Sequence, residues 1–383
     1  MIRLISMLLV ISLLCQSQMV FAMPGNRTQA VHSELFSRME RACSFILAQQ
    51  DEYGAMNESG LINTDSNMLY AMMGLLAAYD LTKRTEYLSA VEKAAHWLMS
   101  VQNREGDWYL SYERRGNAYF PTLPSAYHRF ASIRGVDTTM ALFIHVAHEL
   151  YSRTNRTDLR GRLLISAKRA HHFLLTHNYD PRDGLYWSSF HLKKGVETST
   201  PPLTSYDKYQ VKYAADNAET YLGLVAAAKW FAGAEGMEKA QSLKDNFHHF
   251  YDSDEKSYAV MLDDEGDRGM RPAYARFFVN GWSAYIFQDQ TMFAESRLTM
   301  ADLMEQNGSF PNKDNVYALS SLAFLLGESS APVQSVRVKR AQEFLFSLQK
   351  ESGGIMDDVN SKNTYVNIAG LFLLYLYEEL REE

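Results

Sequence analysis

The chain has 383 residues, 46% of them apolar and 22% charged, with a formal net charge of −7. Its 20 Phe, 23 Tyr and 5 Trp supply far more buriable surface than a disordered chain carries, and 21 Gly with 9 Pro exclude a collagen-like or linker composition. The acidic balance argues against a nucleic-acid partner, which would select a basic patch.

At the start of the chain, Met1-Ile2-Arg3 is followed by an apolar run from Leu4 to Leu14, and Val20-Phe21-Ala22 stands just before Met23-Pro24. That layout is the one of a secretory signal peptide cut after Ala22, and the run is short for a membrane span. The expected mature chain is therefore residues 23–383, secreted or otherwise extracytoplasmic. It should hold no stable membrane span, because no later apolar run is long enough. Only Cys43 then remains, so no internal disulfide is expected, and a lone Cys on an apolar helix face reads as core filler. Sequons at Asn26, Asn57, Asn155 and Asn307 leave N-glycosylation open.

Further along, one pattern recurs: basic residue, Ala, two residues, aromatic, aliphatic, three residues, Gln, a short gap, Gly. It runs from Arg41 to Gln50 with Gly54, from Lys93 to Gln102 with Gly106-Asp107-Trp108, and from Arg340 to Gln349 with Gly353-Gly354. A copy from Arg169 replaces Gln with Asn178 before Gly184, and weaker copies end near His249 and at Gln306. Each reads as an amphipathic helix whose aromatic–aliphatic pair enters the core, with the Gln bonding open backbone and the Gly reversing the chain. More uniformly apolar segments alternate with them, at 65–81, 137–153, 216–231, 279–290, 315–327 and 366–380. A helix apolar nearly all round is buried on all sides. Six outer and six inner helices predict an all-α, (α/α)6 toroid of about twelve helices in a single domain. The long loops at 105–136 and 179–215 should form its rim.

On these segments the chain resembles the α/α-toroid superfamily, with the 93–108 stretch similar to the Gln-Trp repeat of terpenoid cyclases. The resemblance implies three branches: terpenoid cyclases and prenyltransferases, six-hairpin glycosidases, and toroidal polysaccharide lyases. A cyclase needs an Asp-x-Asp-Asp acid, and the nearest stretch, Leu262-Asp263-Asp264-Glu265, falls in a predicted loop. A prenyltransferase needs zinc ligands, and His171-His172 and His248-His249 are adjacent pairs that point different ways on a helix. No metal and no cofactor are expected. Glycan chemistry remains, with an oligo- or polysaccharide as partner.

Acidic or amide residues mark the expected starts of the inner helices: Asp65, Asp137, Asp216 with Asn217, Asn280, Asp314 with Asn315, and Asn367. Helix capping alone would select Asp and Asn there. The same positions also converge on one mouth of a toroid. Packed helices lie about 8–10 Å apart, which suits the carboxyl separation of an inverting glycosidase. Asp137 is the leading catalytic candidate, with Asp65 and Asp216 competing as its partner and Glu219, one turn beyond Asp216, as a substrate contact. Trp108, Tyr127, Tyr186, Trp187, Tyr206, Tyr209 and Tyr213 fall in loops, where they read as stacking faces for sugar rings. Trp282 suits either core or cavity, whereas Trp97 and Trp230 read as core. His128 and Arg129, with Lys208, Arg271 and Arg276, would instead serve a lyase that takes a proton and neutralises a uronate. The expected function is a glycoside hydrolase, acting by inversion or by hydrating an unsaturated uronyl sugar. A polysaccharide lyase and a toroid that only binds glycan or protein are the alternatives.

Overall fold

The computed structural model describes residues 24–57, 61–122, 133–196, 201–269, 273–311, 317–329, 335–357 and 360–381. The expected leader at 1–22 lies outside the described residues, as do Tyr127, His128, Arg129, Arg271, Asp314 and Asn315. By packing the chain divides into two units, Met1–Arg38 and Met39–Glu383. The described part of the first is helical, stitched by an Arg38–Glu34 pair one turn apart at 2.8 Å.

Twelve α-helices run through the described residues. The outer ones are α1 (Pro24–Gln49), α3 (Thr85–Val101), α5 (Thr157–Phe173), α7 (Gly233–Asn246), α9 (Ala294–Asp302) and α11 (Ser335–Ser347). The inner ones are α2 (Ser66–Thr82), α4 (Asp137–Arg153), α6 (Ala214–Ala227), α8 (Ala273–Phe287), α10 (Tyr317–Ser329) and α12 (Val366–Arg381). This alternation is the expected (α/α)6 toroid. α8 begins six residues earlier than the pattern suggested, at Ala273 rather than 279. Helix-forming residues directly after Pro272 in the sequence account for the earlier start.

Composition explains which helices go inside. Every residue of α2 from Met68 to Ala78 is buried, whereas α3 buries the single stripe Tyr87, Ala90, Val91, Ala94, Ala95, Trp97 and Leu98. Inner helices meet on small residues. A side chain on Gly370 would strike the backbone of α2 at Tyr70, and one on Gly281 would strike α10 at Ala323.

The outer repeat turns out to be a seam between neighbours. The Gln102 amide donates to Gly106 O (2.7 Å) and reaches across to Ser166 O on the next outer helix (3.1 Å), as Gln50 does to Gly54 O and Ala90 O. Gly106 adopts φ +114° with its α-carbon against the carbonyl of Arg169, so a methyl there has no room. Gly353 sits in the same way on Arg41, and Arg41 also donates to Gln349 (3.1 Å), which joins the last outer repeat to the first. The basic–Ala step that opens each repeat is the surface on which the preceding glycine rests. Cys43 is buried among these helices, its thiol pushed up to about 12 by burial, which suits core filling.

The rim loops carry small antiparallel sheets that the repeat pattern did not reveal. One joins Ile133–Arg134, Ser189–Leu192 and Tyr206–Tyr209; another joins Val211–Tyr213, Met261–Asp263 and Arg268–Gly269. Strands of two to four residues are too short for alternation to stand out from loop sequence.

Candidate active site

A cavity of about 610 Å³ opens where the inner helices begin. Asp65, Ser66 and Asn67 reach it from the start of α2, Thr138 from α4, Ala215, Asp216 and Glu219 from α6, Phe278 and Val279 from α8, Leu319 from α10 and Asn367 from α12. The rim adds Leu110, Ile133, Ser188, Ser189, His191, Tyr209 and Tyr213. Its size falls within the range of small-ligand sites, about 300–1,000 Å³.

Each of these side chains is placed by its backbone. Thr64 anchors the start of α2 by donating its hydroxyl to Tyr109 O (2.6 Å) and Leu110 O (3.1 Å). The N–H of Asp137 is held by Ser188 O (2.9 Å), which ties α4 to the rim sheet. Asn217 brackets Tyr186, accepting from its N–H (2.8 Å) and donating to its carbonyl (3.1 Å), and this fixes the first turn of α6 beside Asp216. Asn280 repeats that bracket on Tyr258 from the second turn of α8 rather than from its start, so it tethers a strand instead of facing the cavity.

Neither Asp65 nor Asp216 makes a side-chain cap bond. Asp65 precedes α2, and its Oδ1 has no hydrogen-bond partner among the described residues. Asp216 is the third residue of α6, with the Ser188 hydroxyl 3.5 Å away. Burial raises Asp65 to about 6; burial and then the Asp65 charge raise Asp216 to about 7. Asp137, the leading expectation, is not among the lining residues. It is 0% exposed, its Oδ1 takes the Thr138 N–H (3.0 Å), and its Oδ2 has no partner among the described residues. Burial, and the neighbouring Asp216 charge after it, push Asp137 well above the usual carboxylate range.

Glu219 is the hub. It takes the Tyr70 hydroxyl from α2 and the Trp282 indole N–H from α8 (2.7 Å) on Oε1, and the Thr138 hydroxyl from α4 on Oε2. Four inner helices thus converge on one carboxyl group. Burial, then the charge of Asp216, raise its proton affinity strongly, while the Tyr70 and Trp282 bonds oppose the rise. Trp282, at 0% exposure, is core with one polar task.

The loop aromatics divide against expectation. Trp108 is 1% exposed, packs on Phe143 with centroids 4.8 Å apart and donates its indole N–H to Leu98 O (2.8 Å). Trp187 (4% exposed) lies under the Lys212 ammonium at 4.0 Å, and Tyr206 (6%) under the Arg134 guanidinium at 5.5 Å. Tyr186 is likewise buried. These rings build the wall rather than its inner surface, each buried against its own neighbours. Tyr209 and Tyr213 do line the cavity. Trp108→Phe should therefore cost about 1–2 kcal/mol in denaturant unfolding, from the orphaned Leu98 carbonyl, with saccharide affinity unchanged.

Sequence reasoning missed Tyr70, Thr138 and His191. Tyr70 and Thr138 are hidden inside apolar helices. His191 lies on the cavity face of the Ser189–Leu192 strand, stacked on Tyr209 at 4.3 Å and 15°, with Ser189 Oγ 3.2 Å from its Nε2. Burial lowers its pKa, which favours neutral imidazole. The Ser-x-His alternation two residues beyond Trp187 was its one available signal. Arg276 serves Ser257 and Glu255, and Lys208 lies over Phe190, so neither enters the cavity. Among the described residues no group of three His, Cys, Asp or Glu is arranged to hold a metal ion, and no helix is long and apolar enough to cross a membrane.

No protein-family model matches the chain, and no curated protein matches it by sequence. Solved structures do match. Cellobiose 2-epimerase from Spirochaeta thermophila superposes with TM-score 0.67 at 12% identity, over 95% of this chain and 99% of that one. A D-mannose isomerase gives 0.66 at 11%, over 92% and 98%. A possible member of the GH105 family from Salmonella enterica serovar Paratyphi A gives 0.62 at 12%, over 92% and 94%. The fold is the six-hairpin (α/α)6 toroid. Near-complete coverage of both chains means that the toroid accounts for almost all of each.

Proposed function

We propose that the protein is an extracytoplasmic glycoside hydrolase in which Asp216 is the general acid and Asp65 the general base. One observation carries the reading: two carboxyl groups, neither engaged as a helix cap, line one cavity with proton affinities raised to about 7 and about 6. Near neutral pH such a pair holds one proton and one charge, the state that acid–base hydrolysis requires. Asp65 takes a proton from water as its oxygen attacks the anomeric carbon. The glycosidic C–O bond breaks, and Asp216 gives its proton to the departing oxygen. Exchange with solvent then restores both groups. Burial, and after it the charge of Asp65, hold the proton on Asp216. The secretory leader pattern and the saccharide enzymes among the similar folds support the setting and the substrate class.

A second reading, a proton-transfer enzyme such as an isomerase, epimerase or lyase, rests on neutral His191 at the cavity wall. Incubation with a panel of oligosaccharides separates them. Hydrolysis makes new reducing ends without the ultraviolet band of an unsaturated uronide. A lyase makes that band, an isomerase or epimerase changes the sugar without cleaving it, and a pure binder leaves every glycan intact. New reducing ends that persist in Asp216→Asn at the wild-type rate would sink the assignment.

A further inference from the structure

We infer that the cavity takes an uncharged sugar ring and turns away uronates, which rests on the saccharide reading above and narrows its substrate class. The rim sheets sort their side chains by face. On the three strands at Ile133–Arg134, Ser189–Leu192 and Tyr206–Tyr209, the cavity side shows Ile133, Ser189, His191 and Tyr209. The opposite side carries Arg134, Phe190 and Lys208, which are cross-strand partners. Successive strand residues point to opposite faces, so Arg134 and Lys208 are both turned outward by the same register.

Each of those cations is also engaged where it points. Arg134 grips both oxygens of buried Asp107 at 2.6 Å and lies between the Tyr109 and Tyr206 rings. Lys208 lies over Phe190. On the next strand Tyr213 faces the cavity, while its neighbour Lys212 turns away to Asp180 (2.6 Å) and Asp183 (2.5 Å). Rotating Arg134 or Lys212 inward would strand a buried carboxylate.

What faces the substrate is then carboxyl groups, with one negative charge on the Asp65–Asp216 pair near neutral pH. Asp65, Asp216 and Glu219 form the floor, with Asp137 close behind, and the described lining residues include no Lys or Arg. A ring bearing its own carboxylate would be pressed against that floor. A neutral ring has hydroxyls to donate to Asp65 Oδ1, which lacks a partner among the described residues, and an apolar face to lay on Tyr209, itself backed by His191. Asn67 and Asn367, bonded to each other at 3.0 Å on the cavity wall, add amide groups suited to hydroxyls.

The test is equilibrium binding to the wild-type enzyme of single sugars, which contain no bond to cleave. Glucose, galactose, mannose and xylose would be compared with glucuronate, galacturonate and mannuronate by saturation-transfer NMR titration. At least one neutral sugar is expected to bind at least tenfold more tightly than its uronate counterpart. Ser189→Lys, which puts a cation on the cavity face, should raise uronate affinity severalfold. Uronates binding as well as neutral sugars, or no neutral sugar binding at all, would overturn the inference. Cleavage of a uronate polymer that requires Asp216 would leave the hydrolase reading standing and remove this one. Neutral-sugar binding without any cleavage would do the reverse.

Discussion

Replacing Asp216 with Asn should lower kcat on a cleavable glycan by about 10²–10⁴-fold, the usual worth of a positioned general acid. The near-isosteric amide keeps the packing of α6. With an aryl glycoside, whose leaving oxygen needs no proton, much of that loss should disappear. Asp65→Asn should lose a similar factor with no such recovery, because its water must still be deprotonated. The wild-type profile of kcat/KM against pH should be a narrow bell. Asp65 must be ionised, so the rate rises as pH passes about 6; Asp216 must keep its proton, so the rate falls as pH passes about 7. Each single variant should lose its own limb. Asp137→Asn, behind the wall, should retain most turnover, since Asp137 is not among the residues that line the cavity. Recovery by Asp65→Asn instead would exchange the two roles, and full activity in both variants would end the assignment.

Glu219→Ala should destabilise the fold by about 3–5 kcal/mol in urea unfolding, because it strips one acceptor from three buried donors on three helices, each worth about 1–3 kcal/mol when orphaned. The adjoining cavity can admit water to part of that space, which keeps the total near the lower end of the sum. Glu219→Gln should cost far less. Its carbonyl still accepts from Tyr70 and Trp282, and its amide can donate to the Thr138 hydroxyl. The same pair of variants reads the electrostatics. A carboxyl whose proton affinity folding raises holds its proton longer folded than unfolded. The native state therefore loses stability as pH climbs from the ordinary carboxylate value near 4 through the raised values of Asp65, Asp216 and Glu219. Glu219→Gln should flatten that decline. An alanine variant as stable as wild type would mean that the convergence on Glu219 does not hold the inner ring together.

Much of this protein is legible in its sequence because its architecture is local and repeated. The apolar content of Met68–Ala78 and the single stripe on Thr85–Val101 decide inner from outer helix with no knowledge of neighbours. The recurring Gln and Gly predict where each outer helix turns. What they bind is decided between repeats: the basic–Ala step is a seat for the glycine of a neighbouring repeat, Gly106 resting on Arg169 and Gly353 on Arg41. The chain positions of Asp65, Asp216 and Glu219 at the starts of inner helices were likewise readable, and so was their convergence on one mouth.

The inner face of the cavity was not readable. A strand of two to four residues offers two faces, and the choice depends on which side the sheet packs. Ile133 rather than Arg134, and His191 rather than Phe190, face the cavity because the sheet lies against it in that register. The same tertiary choice buried Trp108, Trp187 and Tyr206, and left Asp137 out of the cavity lining although it and Asp216 both stand in the first turn of an inner helix. Helical periodicity and repeat spacing act along the chain, so the sequence by itself determined the toroid and the level at which its acids lie. Which side chains meet a substrate depends on how separate hairpins cover one another, and that only the tertiary packing decided.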